Sequence, residues 1–433
     1  MGAVLPGTGE TYDVLIAGGG NAALCAAITA AERGARVLIA EAAPKGFRGG
    51  NSRHTRNLRT AHDAPTDMLS GSYPVAEYFD DLMRVTAGKT DEHLARITVE
   101  ESAGLAEWMH ARGVRFQPAI SGTLSLCSTN PFFRGGGKAM MNAYYLAARR
   151  LGVEVLYDAE VTGLEIKGGV FSAAQVRHRG FGRRIQARAF IAASGGFQAN
   201  FDWLEEAWGP AARNFLIRGT PYAKGGVLRL LLDAGFASVA EADQCHAVAI
   251  DARGPRFDGG IATRIDCVPF SIVVNSEARR FYDEGEDFWP TRYAIWGRLI
   301  ARQPGQIAWS ILDAKAEALF MPSLYPPIRA RTIEGLATAL GLDATALRAT
   351  VEAYNAACTI DGPFDTTIHD RRRTNGLTPD KTNWARPIDE APFTGFPLRP
   401  GITFTYLGVR VDESAAVQRA GGGPAANIYA AGE

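Results

Sequence analysis

DVLIAGGGNAALCAAITAAERGARVLIAE, residues 13–41, is the stretch whose reading decides the fold. Asp13 to Ala17 is an apolar strand, Gly18 to Gly20 a tight turn, and Asn21 to Arg33 an alanine-rich helix that Gly34 stops. Arg36 to Ala40 is a second buried strand ending at Glu41, which completes a β-α-β unit. The turn carries the G-x-G-x-x-[GA] pattern as Gly18-x-Gly20-x-x-Ala23, placed directly after a strand and at the start of a helix. Gly18 permits the turn, Gly19 lies within it, and Gly20 lets the backbone approach a pyrophosphate. Asn21 and Ala22 open a helix whose free N–H groups and positive dipole suit phosphates. Glu41, followed by Ala42, stands where a carboxylate accepts hydrogen bonds from a ribose hydroxyl. Dinucleotide binding is the function this unit predicts.

Outward from this unit, a Gly- and Arg-rich loop covers Lys45 to His62, and residues 91–112 read as a helix with Leu94, Ile97, Leu105 and Trp108 on one apolar face. Gly135 to Lys138 opens another helix, Ala139 to Leu151, leading to a strand at Val153–Tyr157 and a hairpin-like region from Val161 to Val176. Ala189 to Ala193 is one more buried strand running into Ser194 and Gly195. Past residue 238 the pattern changes to loops rich in Gly, Pro and Arg with short helices such as Thr345–Cys358. The expected architecture is therefore α/β: a Rossmann-like binding domain at 11–238, an inserted α+β capping domain at 239–395, and a return to the first domain at 396–433.

The 433 residues contain 46% hydrophobic and 21% charged residues, so neither a disordered chain nor a fibre is in view. Forty-six Lys and Arg balance 46 Asp and Glu, which excludes a net field drawing the chain to nucleic acid or an anionic membrane. Any anion site must be a local cluster of cations. The triplet Arg371–Arg373 reads as a solvated loop. Cys25, Cys127, Cys245, Cys267 and Cys358 are scattered without a Cys-x-x-Cys spacing, so no iron-sulfur or structural zinc site is legible and a reduced, cytoplasmic setting is expected. The start, MGAVLPGTGE, has neither a basic nor an apolar signal region.

Beyond Glu41 the chain resembles the flavoprotein family of fumarate reductases and succinate dehydrogenases. The resemblance is carried by Gly49-Gly50-Asn51-Ser52, Gly135 to Lys138, Ala192 to Phe197, Val274 to Phe281 and Asn427 to Glu433, and so spans nearly the whole chain. The longer string Arg48 to Arg59 is similar to the branch of tricarballylate dehydrogenases and of the flavoprotein half of precorrin-3B synthases. The resemblance implies the FAD-binding fold of the GR2-type flavoproteins, with FAD as the dinucleotide. It places Gly50, Asn51 and Ser52 near the isoalloxazine, Ser194 and Gly195 on the adenine half, Val161 on the adenine through its backbone, and Glu433 by the ribityl chain. Membrane-bound relatives link FAD covalently to a His just before the Ser/Thr position. Asn51 stands there, which implies non-covalent FAD, while His54 is the neighbouring alternative link or a loop histidine bonding the cofactor or a carboxylate.

The inserted domain carries the substrate chemistry in this family. The resemblance makes Arg292, in Asp287 to Ala294, the residue that shuttles a proton opposite the flavin hydride; Glu284, a nearby carboxylate, is expected to pass that proton onward if the fold brings the two together. His246 matches the His that binds a substrate carboxylate. Thr403 or Phe404 replaces a second family His, and Arg264 falls near a family acidic relay residue, making the pocket more cationic and suited to a third carboxylate. The implied reaction is oxidation of a CH–CH bond of a polycarboxylate, tricarballylate to cis-aconitate above all, with hydride to flavin N5 and the proton to Arg292. Alternatives are a flavoprotein of corrin ring contraction, a fumarate reductase-like enzyme, or an electron-transfer flavin subunit with no pocket of its own. The implied electron acceptor is a separate, membrane-associated iron-sulfur or haem protein. Relatives continue past the Ala-Gly-Glu element, so the chain is expected to be incomplete at Glu433.

Overall fold

The computed structural model describes residues 11–120, 126–359 and 362–433; the N-terminal stretch read above for a signal lies outside them. The quoted unit forms as its pattern dictates. Strand β1 (Tyr12–Ala17), helix α1 (Asn21–Glu32) and strand β2 (Val37–Ala40) follow one another, and β1 pairs with β2 in parallel, Val14 opposite Val37. Leu15 and Leu38 pack into a core on one face of the sheet, while Ile16 and Ile39 pack on the other against Leu24, Ala27 and Ile28 of α1. Burial on both faces explains why these strands read as unbroken apolar runs rather than alternating ones.

Helix α2 (Gly136–Arg150) lies on the α1 side, then β3 (Glu154–Leu156) extends the sheet beside β2. Strands β4 (Ala159–Lys167), β5 (Val170–His178) and β6 (Phe181–Ala192) form an antiparallel meander. The outer half of β6 pairs with β5 and its inner half runs parallel to β1, so it is longer than the buried pentapeptide alone suggested. The expected single helix at 91–112 is two, Glu92–Ser102 and Leu105–Ala111, broken at Ala103 and Gly104. The glycine has no side chain to hold the turn in helical register.

A second sheet forms the capping body. Its four longest strands are β7 (Cys245–Asp251), β8 (Ile272–Asn275), β9 (Ala308–Leu312) and β10 (Phe393–Thr405), with β10 pairing both β9 and β7. The chain closes on the first sheet through β11 (Pro424–Ala430), parallel to β6. Strand β10 runs straight across the expected boundary at 395/396, and Leu216–Ile217, from before residue 239, also pairs with it. The spine of the cap is therefore also the element that carries the chain back to the first domain. No helix among the described residues is long and apolar enough to cross a membrane.

Candidate functional site

The carboxyl ends of β1, β2 and β6 open onto a cleft enclosing about 1120 Å³ of empty space. Gly18, Gly19, Gly20, Asn21 and Ala22 line it from the first turn, and Glu41 and Ala42 from the end of β2. Gly50, Asn51 and Ser52 enter from the following loop, Val161 from β4, Ser194 and Gly195 from beyond β6, and Glu433 from beyond β11. The turn needs its glycines for different reasons. Gly18 has φ of +101°, and a Cβ there would stand 2.3 Å from the Ala193 carbonyl oxygen. Gly20 has an ordinary φ, and a Cβ would meet no protein atom nearer than Ser52 Oγ at 3.8 Å, so its missing side chain leaves space in the cleft.

The polar groups of the cleft are held in place. Glu41 accepts from the Ala43 N–H at 2.8 Å; burial pushes its carboxyl above the ordinary range, against the pull of the Ala43, Gly49 and Gly19 N–H groups. Ser52 Oγ accepts from the Asn21 N–H at the start of α1. Asn51 is committed on both sides, accepting from the Thr220 N–H at 2.9 Å and donating to the Thr403 carbonyl at 2.6 Å. The Glu433 carboxylate is enclosed by Thr405, Gly196 and Gln198 and pushed up to about 7, chiefly by burial, although the residue as a whole is exposed.

At the Asn51 end a second group of residues gathers where the two bodies meet. Arg218 is buried and donates from Nη1 to Thr403 Oγ1 at 2.7 Å and from Nε to the Gly260 carbonyl at 3.3 Å. Arg264 is buried and pairs with Asp266 at 2.5 and 3.0 Å, its guanidinium 4.7 Å from the Tyr293 ring centroid. Asp266 also accepts from Trp289 Nε1 at 2.8 Å. Arg56 adds a third guanidinium. Arg218 and Arg56 are each lowered to about 10, by burial first and then by the neighbouring charge of Arg264. For Arg264 itself burial acts downward but Asp266 outweighs it, so it stays protonated. His246, in register with Phe404 across β7 and β10, stacks on that ring at 4.8 Å; burial, then Arg218, pushes its imidazole down to about 3, and its Nδ1 has no partner. Three guanidiniums against one carboxylate leave a buried surplus of positive charge beside the cleft.

The chain matches the FAD binding domain family over residues 13–433. It is 26% identical to the NADH:fumarate oxidoreductase of Klebsiella pneumoniae (strain 342), covering 98% of this chain and 44% of that protein. It is 25% identical to the probable fumarate reductase Ifc3 of Shewanella frigidimarina, covering 100% of this chain and 71% of that one. Among solved structures, the open conformation of a flavocytochrome c3 fumarate reductase superposes with a TM-score of 0.70 at 22% identity, over 99% of this chain and 73% of the other. The chain belongs to the fumarate reductase and succinate dehydrogenase family of FAD-dependent flavoprotein oxidoreductases. It spans less than half of the first relative's length and most of the second's.

The chain is an FAD-binding flavoprotein, and the residues of the cleft fit that group: a glycine turn free of side chains, a helix start with no capping side chain from Gly20, and a carboxylate at the end of β2. The remaining residues singled out from the sequence are placed as follows. His54 does not line the cleft; its Nε2 lies 2.7 Å from Asp258, a carboxylate partner that accounts for the ring. Thr403 ties the flavin loop to Arg218, its carbonyl to Asn51 and its hydroxyl to the guanidinium. Arg292 is bidentate with Glu286 at 2.6 and 2.9 Å and donates to the Tyr282 hydroxyl at 3.1 Å, and Glu286 holds it firmly protonated. The carboxylate beside Arg292 is thus Glu286 and not Glu284. Glu284 is buried, accepts from Nε and Nη2 of Arg280 and from the Val273 N–H, and serves the packing of β8. Arg264 is matched by Asp266, so it is not by itself the surplus cation expected of it. Arg56 and Arg218 went unmarked in the sequence because one looked like any loop arginine and the other lay in the first domain, outside the expected cap.

Proposed function

We propose that this flavoprotein exchanges hydrogen across a CH–CH bond flanked by carboxylates, and that tricarballylate oxidised to cis-aconitate is the pair its site suits best. The observation that carries the reading is the gathering of Arg56, Arg218 and Arg264 around Tyr293, joined to the flavin loop through Asn51 and Thr403. A neutral substrate would leave buried cations without counter-charge, at a cost of several kcal/mol per ion; a polycarboxylate compensates them. FAD supplies two-electron hydride chemistry when bound.

The protein's own groups do the rest. Guanidiniums orient carboxylates through paired N–H donors and stabilise the negative charge that develops on the carbon beside them. Three arginines and Asp266 leave a surplus of two charges with His246 neutral. A third carboxylate would draw a proton onto His246 Nδ1, which has no other partner. Arg292, protonated by its pairing with Glu286, is set as proton donor in the reducing direction. In the oxidising direction the guanidinium must first lose a proton, and Glu286 is the base in contact with it, at the cost of the pairing that otherwise holds Arg292 protonated. We assign the electron acceptor to a separate iron-sulfur or haem protein at a membrane facing the cytoplasm, a reading supported by the likeness to the Shewanella frigidimarina protein named fumarate reductase (cytochrome). FAD is held without a covalent bond, since the Asn51 amide is bonded on both sides and offers no nucleophile; acid precipitation should release all the flavin.

A substrate panel with an artificial electron-accepting dye tests the reading. Tricarballylate should support dye reduction with one cis-aconitate formed per two electrons, and citrate should bind without being oxidised. Dye reduction by neutral alkenes or alkanes but not by any di- or tricarboxylate would contradict it.

A further inference from the structure

Arg56 differs from every other arginine of the junction. Arg264 has Asp266, and Arg218 has Thr403 and the Gly260 carbonyl. Arg56 Nε and Nη2 are buried and have no hydrogen-bond partner, and Nη1 reaches only the Met321 sulfur at 3.4 Å. Its guanidinium sits 5.5 Å from the Phe132 ring centroid, and the nearest carboxylate acting on it, Asp266, is already bonded to Arg264 and Trp289. A buried guanidinium left unpaired is costly unless an anion completes it. Arg56 also lies two residues beyond the turn Gly50–His54 that carries Asn51 and Ser52 into the FAD cleft, so it belongs to the flavin-side body while Arg264 belongs to the cap.

We propose that Arg56 is the specificity-determining residue that receives the third carboxylate of a tricarboxylate substrate, holding it from the flavin side through the free Nε and Nη2 pair. This rests on the polycarboxylate reading above and deepens it. Arg218 and Arg264, anchored at Thr403 and Asp266, take the carboxylates common to di- and tricarboxylates, and Arg56 adds the discrimination between them. The geometry is that of a side-on guanidinium, in which Nε and one Nη donate in parallel to two carboxylate oxygens.

The test compares holoenzyme with Arg56→Met and Arg56→Lys, reading binding through perturbation of the flavin spectrum and through calorimetry, with tricarballylate, citrate and succinate as ligands. Arg56→Met should weaken both tricarboxylates by about 10- to 100-fold, the range of a charge-assisted hydrogen-bonded pair, and succinate by a clearly smaller factor. Arg56→Lys should fall between, because it keeps the charge and loses the fork. Without ligand, Arg56→Met should melt higher than the parent protein, since an uncompensated charge has been removed from beside Met321. Equal weakening of succinate and the tricarboxylates would overturn the proposal, as would a lower melting temperature of ligand-free Arg56→Met, which marks a structural arginine. Tricarboxylate binding that depends on Arg56 but never reduces the flavin would uphold the anion role and contradict the redox reading instead.

Discussion

The dinucleotide cleft and the arginine junction recognise charge in opposite ways. In the cleft, short contiguous stretches present backbone: the Gly18–Gly20 turn, the open start of α1 and the loop at Gly50 make room for a ligand by omitting side chains. At the junction, residues 56, 218, 246, 264 and 403 bring side chains from five separate stretches, and the packing of β7 and β10 against the first domain assembles them. A backbone site is stable whether or not its ligand is present. A junction of like charges is held in tension by the fold and is relieved by its ligand, so changes there should alter stability and specificity together.

The sharpest division inside the junction is between a cation with a partner and one without. Arg264→Met should destabilise the folded protein by about 3–5 kcal/mol, because Asp266 would remain buried with only the Trp289 N–H. Adding Asp266→Asn should recover most of the loss, as urea titration would show. If Arg264→Met is no more costly than a surface change, the pair is not the buried anchor described here. Next in size, Gly20→Val should weaken FAD binding by roughly tenfold or more, about 1.4 kcal/mol, while the apo-protein changes by no more than about 1 kcal/mol. Flavin retention on gel filtration and apo-protein unfolding read the two effects separately, and a misfolded apo-protein would contradict the empty space assigned to that position.

A further effect concerns acid and builds up only as pH falls. His246 is pushed down to about 3 by burial and by Arg218, Arg264 and Arg298, whereas an unfolded histidine titrates at its ordinary value. Between about pH 3 and 6.5 the unfolded chain therefore binds the extra proton, and stability should fall as pH drops through that window, by up to about 1.4 kcal/mol per unit. His246→Phe, which keeps a ring against Phe404, should flatten that limb of the stability curve. An unchanged slope would mean that His246 takes up its proton in the folded state without cost.

Legibility followed the same division. The β-α-β unit, Glu41 and the loop glycines could be read because local backbone demands fix residue type at fixed spacing. The junction could be read only in part: His246, Arg264 and Thr403 were marked through resemblance, but Arg56 and Arg218 depend on which loops the tertiary fold brings together, and no periodicity encodes that. Glu284 shows the converse. It stands near Arg292 in the sequence, yet Arg280, four residues away across a tight loop, takes both its oxygens and leaves Glu286 beside Arg292. The domain limits slipped for a related reason, since one continuous strand, β10, belongs to the cap sheet and also leads back to the first domain.

The central claim is that the buried guanidiniums, and not merely the flavin, select the substrate. Anaerobic titration of the holoenzyme with tricarballylate and with its neutral trimethyl ester tests it most directly, because the two share the same CH–CH bond and differ in charge. The acid should bleach the flavin's visible absorbance with one equivalent per active site, and the ester should leave it yellow. Equal bleaching by the ester would show that Arg56, Arg218 and Arg264 do not recognise carboxylates.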